Sequence, residues 1–589
     1  MHITIKKIPI ILAAVVILAA ALIYIPTLKS PFLWDDVQLI THPLNMGNNP
    51  YAFLFGSGFY YRPLLSLSML TDYSFWYLNP VGYHVTNVLL HVINSLLVFL
   101  VGFRLMRNKK MGPDNPATAE EGDRNTLLLS FFAAMFFALH PIHTESVAWV
   151  SGRTDILSTL FFLLAFVSFL EYAKERNAKG LLLFCLFFLF SLFSKENALS
   201  FIIVILAYGV AVRMPRKQLL VSLSALSVVI AVYMFFRQGG MIKMMLASPG
   251  SKDAFLSSGT TPNNFFPQLS GAVGYYLEKL FIPVNLNLMP EIPKGPVYLL
   301  ISLLPFVFGG ILWLAGRRLE VFLIFWIIVT LLPSLLILFS QIAAPIGERY
   351  LYLPSVGFCI FLALVLERVR KVNVLVMIAL VILIAYSVYT HERLNVWKDE
   401  VSLWADTVGK SPALATPRTN YAKALIERNE IDKAKNELLI TLKLKVRPDQ
   451  TSSIYDLLGV AEMKENNYEK AEEYLRKSLT ANPQNSMSYN NLGVLYLSMS
   501  GGCNGSENPG KETLYKAIKY FEKALTISPG FIQPKFNLGL CYLKLGDFDK
   551  AESYFNSVIE ADPRNKLAAQ SVQYLISIEF SRHGVQKEI

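Results

Sequence analysis

Two adjacent carboxylates open the loop after the first apolar block of the chain, in the stretch SPFLWDDVQLI that begins at Ser30. Charge is costly near a bilayer, so Asp35 and Asp36 are unusual residues at a membrane exit. Phe32 and Trp34 place them at the membrane interface rather than in free solvent. A carboxylate there can accept a proton from an acceptor hydroxyl, while its neighbour orients the acceptor or holds a cation. The pair is our first candidate for catalysis, with a solvated loop start or a helix cap as the alternative.

A polar stripe follows in the apolar stretch GYHVTNVLLHVIN. His84, Asn87, His91 and Asn94 recur at helical spacing and therefore share one helix face. Hydrogen bonding between helices explains such a stripe, above all for the two deeper residues, His91 and Asn94. His84 and Asn87 lie nearest the surface that carries the acids. We therefore assign these two to the polar surroundings of the candidate site.

A third group occupies the turn HPIHTESVAWVSGRTD, residues 140–155. His140, His143 and Glu145 could ligate a divalent ion, with Arg153 and Asp155 behind them as supporting residues or as an ion pair. The spacing matches no recognised metal motif, and a hydrogen-bonded re-entrant turn lined by protein is the alternative. The sequence leaves metal dependence open.

Isolated cations complete the set. Lys195 in SKEN and Arg349 in GERYLYLP each follow or precede an acid, Glu196 and Glu348, so a neutralising pair is one interpretation. Anion recognition is the other, because Arg offers a bidentate fork to phosphate and Lys a point charge. We predict that both, together with Arg153, bind the phosphate of a lipid-phosphate leaving group. Two further supporting polar residues of the predicted site are Arg62 and Tyr352.

The elements that must position these residues are apolar. Of 589 residues, 53% are hydrophobic and only 16% are charged, whereas soluble domains have about a quarter of their residues charged. The composition therefore predicts a membrane protein. The net charge of +11 reflects Lys and Arg clusters in alternate short loops, which is the positive-inside pattern and not the signature of a nucleic-acid partner.

The hydropathy pattern predicts an all-α fold with about eleven spans and a cytoplasmic N-terminus. This orientation places the loop 29–83, the turns 140–155 and 193–199, the segment 344–354 and the C-terminal part outside the cytoplasm. Residues 268–283 are predicted as an interfacial helix rather than a twelfth span. The membrane is the inner membrane of a bacterium or the endoplasmic reticulum of a eukaryote. The predicted spans are 8–28, 84–106, 126–140, 155–173, 181–194, 198–213, 217–236, 296–316, 319–340, 350–367 and 373–391.

A fixed period appears in the C-terminal part, where Gly459 and Gly493 are 34 residues apart, as are Ala517 and Ala551. This period and the small residues predict tetratricopeptide repeats, an α-solenoid whose concave surface binds protein or peptide. The period alone names no partner. The predicted domains are 1–391 for the membrane domain, 392–413 for a connecting helix, 414–564 for the repeats with an insertion near 500–512, and 565–589 for a capping helix and tail.

Several motifs in one order resemble those of the transmembrane and tetratricopeptide-repeat O-mannosyltransferases: WDD, YRPLLSLSM, GYHVTNVLLH, LHPIHTESVAWVSGRTDIL, SKENAL and ERYLYLPSVGF. The resemblance implies a GT-C fold and an inverting glycosyltransferase that uses a polyprenyl- or dolichyl-phosphate sugar, mannose or another hexose. It implies an acceptor outside the cytoplasm, and the repeats favour protein hydroxyls. The double-acid motif of the family maps onto Asp35 and Asp36, with one of them as the base. The chain has no nucleotide-binding fingerprint, which agrees with an already activated lipid donor.

Two other classes of protein stay open. A membrane-anchored scaffold would use the repeats to assemble envelope or secreted proteins without catalysis. A transporter for a lipid-linked sugar would show internal repeats among its spans and charges near the midplane, whereas the charges here lie at one face.

Overall fold

The computed structural model describes residues 8–41, 61–109, 116–247, 262–339, 346–444, 446–501, 507–563 and 566–582. Within these ranges the secondary structure is helical and contains no strand, which confirms the all-α class. The chain divides into two compact units, Met1–Lys410 and Ser411–Ile589. The centre of the predicted insertion, 502–506, and the predicted repeat boundary at 564 and 565 lie outside the described residues. So do 42–60 of the loop after the first span and the first two residues of 344–354.

The first unit is a bundle of mostly apolar helices. Several of them begin with proline in the first turn, where its missing N–H has no helical partner to lose; Pro63, Pro296 and Pro354 are examples. The helices are α1 Ile8–Ile23, α2 Asp36–Thr41, α3 Pro63–Trp76, α4 Pro80–Lys109, α5 Pro116–Leu139, α6 Thr144–Ala148, α7 Arg153–Glu175, α8 Ala178–Ser194, α9 Phe201–Ala211, α10 Arg216–Ala247, α11 Pro262–Phe281, α12 Pro296–Leu314, α13 Arg318–Leu335, α14 Pro354–Leu366, α15 Val372–Val396 and α16 Glu400–Lys410. Short 3-10 turns cover Ile25–Lys29, Pro141–His143, Val150–Gly152, Glu196–Ser200, Leu336–Phe339 and Glu348–Leu351.

Among the described residues, seven helices are long and apolar enough to cross a membrane, or eight if the bent pair Gly122–Leu139 and Pro141–Ala148 is one span. Three shorter apolar helices are α8, Glu196–Ala211 and α14. Each of the eleven predicted spans falls on one of these helices, so the chain is a multi-pass membrane protein. The number of crossings and their orientation stay predictions. Helix α11, which covers most of the predicted interfacial segment, is not among the helices that pass this test.

Helix α7 forms the centre of the first unit. It packs against α4 and α8, and it belongs to the most enclosed of the candidate spans, Val150–Glu175. Its first turn follows the 140–152 turn directly. The polar residues of that turn therefore lie next to the most buried of the candidate spans.

The second unit consists of helices that pack in consecutive pairs. A Cβ atom on Gly493 or Gly539 would overlap the rings of Phe521 and Phe555 on the following helix. The recurring glycine is thus required by close helix approach, as expected for tetratricopeptide repeats. The helices are α17 Ala415–Glu427, α18 Ile431–Leu442, α19 Pro448–Lys464, α20 Tyr468–Ala481, α21 Ser486–Ser500, α22 Glu507–Ile527, α23 Ile532–Leu545, α24 Phe548–Ala561 and α25 Lys566–Arg582.

Candidate active site

The acidic pair is held against the turn that precedes α7. One carboxylate oxygen of Asp36 accepts hydrogen bonds from the backbone N–H and the hydroxyl of Ser151, at 2.8 and 2.7 Å. The other oxygen accepts from the backbone N–H of Leu33 at 2.9 Å. The Ser151 hydroxyl also lies 3.0 Å from an oxygen of Asp35. Ser151 therefore bridges the two acids and joins two motifs that are far apart in the sequence.

The two carboxylates differ in their access to solvent: Asp36 is 1% exposed, whereas Asp35 is half-buried. Burial raises the pKa of Asp36 to about 7, against the hydrogen bonds from Leu33 and Ser151, and the neighbouring Asp35 charge adds to the rise. Burial also raises the pKa of Asp35, against the Ser151 hydrogen bond and the charge of Arg349. Both acids are thus tuned toward the neutral range in which a carboxylate works well as a general base.

An aromatic cluster lies beside the acids. The ring of Trp34 stacks on Trp149 with ring centroids 5.2 Å apart, and it meets Trp404 edge-on at 5.4 Å. The guanidinium of Arg349 lies 5.5 Å from the centroid of the Trp149 ring. These rings connect the loop that carries the acids with the segment that carries Arg349.

Arg349 is anchored to Glu145. The Glu145 carboxylate accepts one hydrogen bond from the Arg349 backbone N–H at 2.9 Å and another from the guanidinium. The guanidinium also lies over the ring of Tyr350, 4.7 Å from its centroid. Glu145 is fully buried, while 21% of the Arg349 side chain is exposed. The cation is therefore fixed in place from behind and still reaches the surface.

Lys195 and Glu196 are neighbours in the sequence, and each forms an ion pair with a residue far away in the chain. Lys195 Nζ lies 2.6 Å from a carboxylate oxygen of Asp155, and both side chains are nearly buried. Glu196 pairs with Arg62 at 3.1 Å, and about a fifth of each of these side chains is exposed. Lys195 and Arg349 thus pair with acids from the 140–155 turn rather than with the acids beside them in the sequence.

Arg153, predicted to contact the donor phosphate, is fully buried. Its guanidinium pairs with Asp72 at 2.6 Å and donates hydrogen bonds to the Asn87 side chain at 2.7 Å and the Tyr83 carbonyl at 2.9 Å. A further donor reaches the Ser68 hydroxyl at 2.9 Å. Because each of its nitrogens is engaged by protein, Arg153 joins α3, α4 and α7, and we withdraw its predicted phosphate contact.

His84 and Asn87 hold loops in place. A ring nitrogen of His84 lies 3.1 Å from the carbonyl oxygen of Ser30, at the start of the acid loop. The Asn87 amide donates to the carbonyls of Val147 and Trp149, at 3.3 and 3.0 Å. The upper half of the polar stripe thus positions both segments that meet at the acidic pair.

The three residues predicted as a metal site are not assembled as one. The His140 ring bonds the Leu280 carbonyl at 3.1 Å, the His143 ring bonds the Ser355 hydroxyl at 2.8 Å, and Glu145 binds Arg349. Across the described ranges, no group of three or more His, Cys, Asp or Glu side chains is arranged to hold a metal ion.

The two remaining supporting residues lie within the bundle. The hydroxyl of Tyr352 is 2.8 Å from a ring nitrogen of His91 and accepts from Asn94 at 3.2 Å. Glu348 is fully buried, accepts from the backbone N–H of Asn287, and lies 3.8 Å from Arg393. Both residues stabilise the GERYLYLP segment from inside rather than lining the acidic pair.

Comparison with known proteins gives the same family as the motifs. Models of the tetratricopeptide repeat match residues 452–485 and 514–573. The chain is 24% identical over 430 residues to the protein O-mannosyl-transferase F38B6.6 of Caenorhabditis elegans. The alignment covers 68% of this chain and 58% of the relative. It is 28% identical over 433 residues to human protein O-mannosyl-transferase TMTC4, covering 62% and 56%. The chain is thus similar, over about two thirds of its length, to the transmembrane and tetratricopeptide-repeat O-mannosyltransferases.

The chain spans somewhat more than half of the length of these two relatives. Among solved structures, the crystal structure of MamA aligns with 28% of this chain and 87% of its own, at 22% identity and a TM-score of 0.22.

Two residues that the structure brings to the acidic pair, Ser151 and Glu400, are not among those singled out from the sequence. Ser151 lies inside a quoted motif, but a serine among apolar residues carries no spacing signal. Glu400 contacts Trp34 across 366 positions of sequence, in a segment interpreted only as a connecting helix. No local pattern could have revealed that contact.

Proposed function

We propose that the chain is a membrane glycosyltransferase that moves a mannosyl or other hexosyl group from a polyprenyl- or dolichyl-phosphate donor to a hydroxyl group of an acceptor protein. The acceptor lies outside the cytoplasm, and the second unit recruits it through its repeats. The proposal is supported by the similarity to protein O-mannosyl-transferases and, most directly, by the surroundings of the acidic pair. Two carboxylates with raised pKa values share Ser151, beside an aromatic cluster that also contacts an anchored, partly exposed arginine.

Asp35 is the base in this proposal. Both oxygens of Asp36 are already engaged by Ser151 and Leu33, whereas Asp35 is half-buried and has an oxygen outside the Ser151 hydrogen bond. Asp35 takes the proton of the acceptor hydroxyl while the hydroxyl oxygen attacks the anomeric carbon of the sugar. Asp36 orients Ser151, and burial makes the Asp35 carboxylate a stronger base.

The leaving group departs from the opposite face of the anomeric carbon, so the configuration inverts. The bond from that carbon to the phosphate oxygen breaks, and its electron pair stays on polyprenyl phosphate. Arg349 contacts this phosphate, because its guanidinium is held by Glu145 and yet reaches the surface. Lys195 and Arg62 add positive charge from their own ion pairs.

Donor turnover by the full chain in lipid nanodiscs tests the proposal. A panel of polyprenyl-phosphate hexoses is offered with serine- and threonine-containing peptides, and release of polyprenyl phosphate is measured. We expect turnover with one donor, loss of turnover in Asp35→Asn, and normal turnover in Asp449→Asn, an exposed aspartate of the second unit used as the control. Turnover that survives in Asp35→Asn contradicts the assignment of the base.

A non-catalytic scaffold is the second candidate, and the repeat matches favour it as much as they favour acceptor recruitment. Absence of turnover with every donor and peptide, in protein that is folded and binds an envelope or secreted protein through its repeats, would give the scaffold first place.

A further inference from the structure

Helix α16 supplies a carboxylate to the acid loop. One oxygen of Glu400 accepts a hydrogen bond from the backbone N–H of Trp34, and the other accepts from the indole N–H of Trp404. Trp34 directly precedes Asp35, and the proposed chemistry makes no use of Glu400. Because Glu400 binds the backbone of the residue before Asp35, it can influence where the two carboxylates lie.

The backbone of Trp34 depends on such partners. Its φ is +53°, in the left-handed region that a bulky residue rarely adopts. A conformation of this kind is strained and persists only where surrounding contacts determine it. Here the side-chain contacts are the Glu400 hydrogen bond, the stack on Trp149 and the edge contact with Trp404. Two of these three come from α16.

Helix α16 is itself fixed within the first unit. Asp406 pairs with Arg393 of α15 at 2.7 Å, and Lys410 Nζ donates to the carbonyl of Leu286 at 2.7 Å. Arg393 also lies 3.8 Å from Glu348 in the GERYLYLP segment. Helix α16 is therefore tied both to the loop of the acids and, through α15, to the segment that carries the phosphate-binding arginine.

We propose that Glu400 is a positioning residue for the acidic pair. Its carboxylate holds Trp34 in the left-handed conformation that turns the chain so that Asp35 and Asp36 both meet Ser151. The consequence for catalysis rests on the proposed function, whereas the consequence for the order of the loop does not.

Hydrogen exchange of the full chain in nanodiscs measures the order of the loop directly. Glu400→Ala removes both acceptors, and we expect faster exchange in peptides that cover 30–41, with no change in peptides that cover α14. Glu400→Gln keeps one acceptor oxygen. Its exchange rate in peptides that cover 30–41 is expected to lie between the rates of Glu400→Ala and the wild type. Glu392→Ala removes an exposed glutamate of α15 and should match the wild type.

Kinetics test the catalytic consequence. We expect Glu400→Ala to lower kcat about tenfold or more while the donor KM stays within about twofold, since the phosphate site is untouched. Trp404→Phe removes the indole N–H together with part of the ring system, and it keeps an aromatic ring beside Trp34. It should reproduce part of both effects, and it keeps the test valid if Glu400→Ala fails to fold.

Unchanged exchange in 30–41 for folded Glu400→Ala, or for Trp404→Phe where Glu400→Ala does not fold, overturns the inference. Faster exchange with unchanged kcat overturns its catalytic part. If wild-type protein turns over no donor, the proposed function fails, and the exchange result still decides whether Glu400 positions the loop.

Discussion

Lys195 pairs with Asp155, 40 residues earlier in the chain, and not with Glu196 beside it. The two charged atoms are 2.6 Å apart, and each side chain is less than a tenth exposed. Glu196 binds Arg62 instead. This exchange of partners fastens the SKENAL segment to α7 and to the start of α3, so one face of the site depends on the desolvated pair.

Breaking that pair at one end should destabilise the first unit. Lys195→Met leaves Asp155 buried without its cation, which typically costs about 3–5 kcal/mol. We expect a clearly lower unfolding temperature in nanodiscs, and recovery of most of the loss when Asp155→Asn is added. Lys433→Met, which breaks an exposed pair with Glu430 in the second unit, should have little effect. A Lys195→Met protein as stable as the wild type contradicts this prediction.

Arg349→Ala should separate stability from donor binding. The variant loses a phosphate contact and also leaves Glu145 buried, so both the donor KM and the unfolding temperature are expected to change. Adding Glu145→Gln removes the buried charge and should restore much of the stability, while the donor KM stays raised about tenfold or more. A donor KM that returns to normal in the double variant would remove Arg349 from the phosphate site.

Arg153→Lys should affect stability alone. Lysine keeps the charge next to Asp72 but loses the planar set of donors to Asn87, Tyr83 and Ser68. We expect a lower unfolding temperature and a donor KM within about twofold of the wild type. A large rise in the donor KM without loss of stability would return Arg153 to the role predicted from the sequence.

Ionisation of Asp36 should lower the stability of the first unit as the pH rises from about 4 to about 7. In the unfolded chain this carboxyl ionises near pH 4, whereas burial raises its pKa in the folded chain to about 7. The folded state therefore binds the proton more tightly over that interval, and the contribution is lost as the pH passes the folded pKa. Asp36→Asn cannot titrate, so its unfolding temperature should depend less steeply on pH in the same interval. Equal slopes for the two proteins would show that Asp36 does not titrate as inferred.

Gly493→Ala should destabilise the second unit, because the added methyl group overlaps the ring of Phe521. Overpacking typically costs about 1–3 kcal/mol, more than the roughly 1 kcal/mol that alanine gains in helix propensity. Gly530→Ala, where a Cβ meets nothing within 4 Å, is the matched control. Hydrogen exchange of α21 and α22 in the full chain reports the difference, and equal exchange in both variants would contradict the close approach.

The sequence predicted the helices well because hydropathy and period are local properties. Each of the eleven predicted spans coincides with an apolar helix, including α8, α9 and α14, which are shorter than a usual crossing. The 34-residue period likewise predicted the repeats, since each small residue marks a place where two consecutive helices touch. The sequence also named the acids of the candidate site, because charge in an apolar chain stands out.

The sequence did not reveal which polar and charged side chains contact one another. Asp36 with Ser151, Arg349 with Glu145, and Trp34 with Glu400 are contacts between segments more than a hundred positions apart. The same holds for the burial of Arg153, which in the sequence resembles the partly exposed Arg349 but is enclosed by α3, α4 and α7. Which residues carry charge and which segments are apolar enough to cross a membrane were thus determined by the sequence itself. Which charges remain accessible for chemistry was decided by the tertiary structure, because desolvation and pairing depend on every element packed around a side chain.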